Sequence, residues 1–489
     1  MKCGFDNEKY LKVQYEKILK VIDMFDSRLY LEFGGKLFDD YHASRVLPGF
    51  KENSKINILK SLKKDMEVIF CINADDIKKN KVREDYGITY DMELLRLIDA
   101  LQKLDIEINS VVITMYNGQS CISGLEKSLQ KKGIKTYIHK LTNGYPTDVE
   151  LIVSEDGYGK NPYIETTKKL VVVTAPGPNS GKLATCLSQM YHEYKMEKKA
   201  GYAKFETFPV WDLSLKHPLN ISYEAATADL GDINMIDPFH LEAYGQQAVN
   251  YNRDIETFPI LRNILNKISG EDIYKSPTDM GVNVVKQCII DDDVVRAASC
   301  QEIIRRYYIA MCDNREEKLP ESVVRRIKIL MNELGLSYKD RPVIQAALKK
   351  SKKENVSVIA LELPSGKIIT GKQTKLLSPA SSLIINVIKE LANIPDELYL
   401  LSPSILEPII KLKKSVLTND TYLLNLQEVL IALSICSATN SEVSRAIDKL
   451  ESLCGCEAHS TYILKSNEKD ILKKLKINLT SEPNFGLAL

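Results

Sequence analysis

The sequence predicts an α/β protein: a mainly parallel sheet flanked by helices, with a P-loop-like strand-turn-helix, a helical connector and a C-terminal α/β domain. Three observations predict it. From Glu67 onward, short apolar runs of strand length alternate with amphipathic stretches of helical period, the rhythm of successive βα units. Lys169 to Thr174 is an almost unbroken apolar run, as expected of a strand buried on both faces of a parallel sheet. A turn of Pro, Gly, Asn and Ser follows and opens directly on an amphipathic helix.

In chain order, an amphipathic N-terminal segment precedes a first strand at Glu67 to Ile72. A helix at Asp91 to Gln102, a strand at Ser110 to Met115, a helix at Gln119 to Lys131 and a strand at Lys135 to His139 follow. The stretch Tyr202 to Gly281 is rich in aromatic, Pro and Asn/Asp residues and has weak periodicity, the texture of loops that build a site. Asp291 to Leu336 is helical, with Asp291, Asp292 and Asp293 suited to cap its start. Ser357 to Leu363 and Ile368 to Thr370 form a hairpin across Pro364-Ser365-Gly366-Lys367, and a helix spans Pro379 to Ala392. Three regions result: 1–165, 166–335 and 336–489.

With 489 residues the chain exceeds one hydrophobic core, and at 44% apolar residues it has ample material to bury. Lys plus Arg number 66 against 65 Asp plus Glu, so no net field attracts nucleic acid or an anionic membrane. The N-terminus has no secretory pattern and no run of about 18 apolar residues occurs, so the chain reads as cytoplasmic, without a membrane. Its ten scattered cysteines read as free, mostly buried thiols.

The sharpest chemical feature is Val171 through Lys182. Small turn residues at Gly177, Asn179, Ser180 and Gly181 let backbone N–H groups curl around phosphate oxygens, the next helix adds its N-terminal partial charge, and Lys182 reaches a terminal phosphate. Against G-x-x-x-x-G-K-[ST], Pro176 stands where the first glycine belongs and Leu183 where the Mg²⁺-binding hydroxyl belongs, with Thr185 as the nearest substitute. Asp212, after Phe208-Pro209-Val210-Trp211, is placed as a Mg²⁺ ligand at a strand end, with Asp237 as the alternative. A tight turn with an exposed lysine is the competing explanation.

Two further stretches are dense in chemistry. Glu32 to Arg45 holds Gly34, Gly35, Lys36, Asp40 and His42, where Asp40 and His42 suit a proton relay or metal ligation. Between Ser222 and Asn252, Asp237 and His240 suit acid-base or Mg²⁺ chemistry, and Ser276 to Asn283 adds hydroxyl and carboxylate groups. Cys454-Gly455-Cys456 with His459 lacks the second ligand pair of a zinc site, and Ser378 to Ser382 is explained by an ordinary helix N-cap.

EFGGKLFDDYHASRVLPGF, TAPGPNSGKLATCLSQMYHEY, DINMIDPFHLEAYG and SPTDMGVN together resemble a bacterial conserved family, domain of unknown function 1846 or uncharacterised protein family 0371. The resemblance covers nearly the whole chain and includes the atypical loop, but it implies no reaction, so no residue role is carried over. Three readings stay open. The first is an enzyme of ATP or another nucleotide with Mg²⁺, performing phosphoryl transfer with Lys182, Asp212 or Asp237, and Asp40 or His42. The second is a sugar-phosphate enzyme that uses the loop as an anion clamp, and the third a noncatalytic ligand sensor or assembly protein with a homo-oligomer surface.

Overall fold

The computed structural model describes residues 2–38, 40–83, 87–416 and 423–486; Asp39, in the Glu32 to Arg45 stretch, lies outside them. The chain forms two compact units: Lys2–Glu224 with Asp232–Arg296, and Ala225–Gly231 with Ala297–Leu489.

The first unit is built on six strands: β1 (Arg28–Phe33), β2 (Met66–Asn73), β3 (Ile108–Thr114), β4 (Lys135–Ile138), β5 (Leu170–Thr174) and β6 (Ala200–Phe205). They pair in the order β4-β3-β2-β5-β1-β6, every pairing parallel. β5 is buried at every position and β2 at all but its last, as central strands covered on both faces must be. The covering helices supply apolar stripes: Leu94, Leu97, Ile98 and Leu101 are buried along Tyr90–Gln102, and Cys186, Leu187 and Met190 along Lys182–Lys195. A short antiparallel pair, β7 (Asn234–Ile236) with β8 (Val249–Tyr251), flanks the helix Pro238–Tyr244.

β1 and β6 lie outside the predicted strands. Arg28 and Glu32 interrupt β1, and β6 is thinned by Ala200, Gly201 and Ala203, so neither makes a long apolar run. Phe208 to Asp212, in turn, is not a strand: the return to the sheet after the loop helix is made by β6, and Asp212 lies in a turn beyond its end.

Strand order sets where the sheet opens. β2 and β5 are neighbours, yet the chain leaving β2 runs to β3 on one side while the chain leaving β5 runs to β6 on the other. Connections that diverge from adjacent parallel strands leave a crevice at their carboxyl ends. The Ala175 to Gly181 turn sits at that divergence.

The second unit carries a four-stranded mixed sheet of β9 (Val358–Glu362), β10 (Ile368–Lys372), β11 (Glu457–Ser460) and β12 (Asn478–Ser481), ordered β10-β9-β11-β12. β9 and β10 form the expected hairpin, β11 is antiparallel to β9, and β12 is parallel to β11. Helix Pro379–Leu391 is capped by Ser378, whose oxygen accepts from the Ser381 N–H at 3.2 Å. The helical stretch from Asp292 is capped by Asp291, which accepts from the Val294 N–H at 3.1 Å. All ten cysteines are free thiols. Among the described residues no helix is long and apolar enough to cross a membrane.

Candidate functional site

The turn after β5 is tied down from neighbouring strands. The Asn73 side-chain amide, at the end of β2, donates to the Asn179 carbonyl at 3.3 Å, and the Thr114 hydroxyl, at the end of β3, donates to the Ser180 carbonyl at 2.7 Å. In a trans peptide the next N–H points opposite to its carbonyl, so the N–H groups of Ser180 and Gly181 face away from the strand ends. Gly181 has φ +81° and caps Lys182–Lys195 without a side-chain hydrogen bond. The N–H groups of Gly181, Lys182 and Leu183 therefore have no protein acceptor among the described residues. The glycines also have packing reasons. A Cβ on Gly177 would fall 2.5 Å from the Tyr90 ring, and one on Gly181 would fall 2.9 Å from the Thr114 side chain.

Lys182 turns its ammonium toward β1, 3.7 Å from Glu32 Oε1, and the pair is largely buried. Thr185 is fully buried on the sheet side, where its hydroxyl receives the Cys71 thiol at 3.4 Å, so it is not at the turn. Ser180 Oγ is buried without a partner.

Beside Lys182 a cavity of about 160 Å³ opens over the carboxyl ends of β1 and β6. Tyr202 and Lys204 line it because alternate residues share one face of β6, and Glu206 joins them from just beyond the strand's end. Glu32 joins them because it is the direct register partner of Lys204. Tyr202 donates its phenol O–H to Glu32 Oε2 at 2.8 Å. The Lys204 ammonium lies 3.0 Å from Glu206 Oε2 and 3.1 Å from Asp254 Oδ1, the latter in the first turn of helix Asn252–Ser269. Arg253 extends the network to Glu206 at 4.0 Å and Asp232 at 3.4 Å. Leu183, Phe208, Trp211, Leu261 and Met280 add apolar lining, and Asn250, Thr257, Thr278 and Asn283 add polar lining.

Burial penalises both charges of the central pair, and it is overcome at Lys204 but not at Glu206. Lys204 is driven well above the usual ammonium range because Glu206, Asp254 and Glu32 outweigh its burial. Glu206 is raised above the usual carboxylate range, since burial together with Asp254 outweighs Lys204 and Arg253.

Of the other sequence candidates, the Ser276 to Asn283 loop lines the cavity through Pro277, Thr278, Met280, Gly281 and Asn283, whereas Asp40, His42, Asp212, Asp237 and His240 do not line it. Asp40 caps Tyr41–Val46 by accepting from the Ala43 N–H at 3.3 Å and pairs with the buried Lys55 at 3.0 Å. Burial raises its carboxyl, but Lys55 and the cap bond more than compensate and lower it. His42 packs edge-on against Tyr223, ring centroids 4.2 Å apart. Asp237 is fully buried: it caps Pro238–Tyr244 and accepts from Asn250 and Thr278, each at 3.0 Å. His240 Nδ1 lies 3.0 Å from Ser276 Oγ. The Asp212 carbonyl accepts from Lys286 at 2.6 Å, while burial raises its carboxyl. Among the described residues no group of three or more His, Cys, Asp or Glu side chains is arranged to hold a metal ion.

Residues 3–335 match the domain of unknown function DUF1846, N-terminal, and residues 339–488 match its C-terminal counterpart. The chain belongs to the DUF1846 family. A UPF0371 protein of Clostridium tetani (strain Massachusetts / E88) is 56% identical to it over 494 residues, 99% of this chain and 98% of the relative. UPF0371 proteins of Clostridium botulinum strains Alaska E43 and Langeland are 56% and 55% identical over the same shares.

In this DUF1846 member the site-forming residues that sequence reasoning missed are Glu32, Lys204, Glu206 and Asp254. The available signal was the alternation Tyr202, Lys204, Glu206, which is strand-like with every second residue polar. It goes unread when only apolar alternation is sought.

Proposed function

We propose that this chain binds a phosphorylated small metabolite at the carboxyl end of the six-stranded sheet, with the phosphate on the Gly177 to Leu183 turn and the rest of the molecule in the adjoining cavity. The observation that carries the reading is the set of consecutive N–H groups at Gly181, Lys182 and Leu183, held without acceptors at a helix start, the first of them turned from the sheet by the Thr114 tether. Such a nest prefers an anion. Lys182 supplies the full charge by exchanging Glu32 for phosphate.

Size and lining favour a sugar-phosphate-like ligand held without nucleotide hydrolysis. A volume of about 160 Å³ lies below the roughly 300 Å³ at which pockets for drug-sized ligands begin. Leu183 occupies the place of a Mg²⁺-binding hydroxyl and lines the cavity as an apolar wall, and Thr185 is spent on Cys71. ATP or another nucleotide with Mg²⁺ is the alternative occupant, which the same experiment separates.

Calorimetry and thermal shift of the wild type and Lys182→Ala against inorganic phosphate, fructose 6-phosphate, ribose 5-phosphate and ATP, each with and without Mg²⁺, test the proposal. The expected result is Mg²⁺-independent binding of a sugar phosphate, weakened at least tenfold in Lys182→Ala. Binding confined to ATP with Mg²⁺ replaces this reading by the phosphotransferase one. Binding that drives self-association without turnover of any probe points to a sensor, and a folded wild type that binds none of the probes sinks the site.

A further inference from the structure

Resting on the phosphate reading above, we infer that Glu32 is the residue that reads the rest of the ligand: when Lys182 turns to the phosphate, Glu32 Oε1 accepts a hydrogen bond from a hydroxyl of the same molecule, so that the site selects polyhydroxylated phosphate esters over inorganic phosphate and over phosphates of plain alkyl chains.

The Glu32–Lys182 pair is built differently from other buried lysine pairs of this chain. Lys55 closes on Asp40 at 3.0 Å and Lys413 on Glu428 at 2.8 Å, both within hydrogen-bond distance. Lys182 stands 3.7 Å from Glu32 Oε1, although the two side chains are only 14% and 13% exposed. Among the described residues the Lys182 ammonium donates no hydrogen bond and Glu32 Oε1 accepts none. Buried charges are stable when they are both paired and hydrogen-bonded, and this pair meets only the first condition. The other carboxylate oxygen is spoken for: buried Tyr202 donates its O–H to Oε2 at 2.8 Å, which fixes the carboxylate and leaves Oε1 as the acceptor that Glu32 offers the cavity.

The neutral donors around the cavity are spent within the protein. The Trp211 indole N–H goes to the Asn283 carbonyl at 3.3 Å, the Asn283 amide to the Thr207 carbonyl at 2.6 Å, the Thr257 hydroxyl to the Arg253 carbonyl at 2.7 Å and the Thr278 hydroxyl to Asp237 at 3.0 Å. The Lys204 ammonium is shared between Glu206 and Asp254. A ligand therefore meets acceptors more than donors here, and a hydroxyl is the neutral group that answers them.

Charge turns this into selectivity. Phosphate at the turn draws Lys182 off Glu32 and places a dianion near a carboxylate that has lost its ion-pair partner, in a partly buried space where like charges repel strongly. Inorganic phosphate and a plain alkyl phosphate leave that repulsion standing. An ester with a hydroxyl on a carbon near the phosphate donates to Oε1 and offsets it, since hydrogen bonds to charged groups are the stronger ones.

Calorimetry of the full-length wild type, Glu32→Leu and Glu32→Gln with inorganic phosphate, n-propyl phosphate, glycerol 3-phosphate, ribose 5-phosphate and fructose 6-phosphate tests the inference. The wild type is expected to bind at least one of the hydroxylated esters about tenfold or more tighter than n-propyl phosphate. Glu32→Leu, which removes charge and acceptor together, is expected to gain affinity for inorganic phosphate and to bind all the esters alike. Glu32→Gln, which removes the charge but keeps an acceptor for Tyr202 and the ligand, also gains affinity for inorganic phosphate and retains part of the hydroxyl preference. A merely structural role for Glu32 predicts weaker binding of every probe in both variants. That result, a wild type that binds n-propyl phosphate as tightly as the hydroxylated esters, or an unchanged hydroxyl preference in Glu32→Leu overturns the inference and leaves the phosphate reading standing. If circular dichroism shows Glu32→Leu to be unfolded, Glu32→Gln decides alone: tighter inorganic phosphate supports the inference and no gain overturns it. Failure of every probe to bind the wild type overturns both.

Discussion

Each unit of this protein buries a cluster of charges, and the two clusters are built to opposite ends. In the second unit Arg341, with no exposed surface, bonds to Glu457, to the Thr480 hydroxyl at 3.2 Å, and to the carbonyls of Ala458 and Asn478 at 3.0 and 2.8 Å. Glu457 also receives Arg305 at 2.6 Å, and Arg305 reaches Glu302 at 2.7 Å. Donors and acceptors are matched, with backbone carbonyls taking up the surplus, and the cluster braces Arg341 to the sheet. In the first unit Lys204 stands between Glu206 and Asp254, and the cluster borders a cavity. Burial of charge is thus common to both clusters, and what distinguishes the first is the cavity it faces.

The largest expected effect breaks the saturated cluster. Arg341→Met leaves Glu457 with one cation and orphans two backbone carbonyls, and removal of one partner of a buried pair costs about 3–5 kcal/mol. Urea unfolding of the variant measures it. A loss under about 1 kcal/mol means that water reaches this cluster and that the contrast with the cavity is not one of saturation.

The next effect concerns a buried ionisable group without any charge partner. His139 is almost wholly buried at the end of β4, and its Nε2 has no hydrogen-bond partner. Burial lowers its imidazole from 6.5 to about 4, opposed by a bond to the Pro162 backbone and assisted by His192. In the unfolded chain His139 takes up a proton near pH 6.5 that the folded chain refuses until about pH 4, so stability falls as the pH drops through that window. The expected loss between pH 7.5 and 5 is about 2 kcal/mol, absent in His139→Gln. Equal pH dependence in both proteins shows that folded His139 is solvated and titrates normally.

How much of this was legible in the sequence follows from what each feature requires. The β5 strand, its turn and its helix were legible because Leu170 to Thr174 is apolar throughout and Gly181 and Lys182 mark the junction. The caps at Asp291 and Ser378 were legible because capping is local. β1 and β6 were not, and they carry Glu32 and Lys204, since polar residues facing a cavity break the apolar alternation that signals a strand. The cavity itself depends on register: Glu32 meets Lys204 only because β1 and β6 are neighbours in the sheet. Asp237 illustrates the reverse case. Its residue type and setting suit a metal ligand, but Phe239, His240, Asn250 and Thr278 take up its hydrogen-bonding capacity.

The smallest expected effect sharpens the comparison most. Lys204 is about a quarter exposed, as is Asp254, so its ion pairs are partly screened by solvent. Its removal leaves Glu206 and Asp254 beside a cavity that water can enter rather than inside close-packed structure. Lys204→Met is therefore expected to cost under about 1 kcal/mol, as partly exposed pairs do, against several for Arg341→Met. The same urea series reads both. A cost for Lys204→Met as large as that for Arg341→Met makes its cluster a brace like the other; a small cost combined with weakened binding of a phosphorylated probe assigns the charge to the cavity and not to folding.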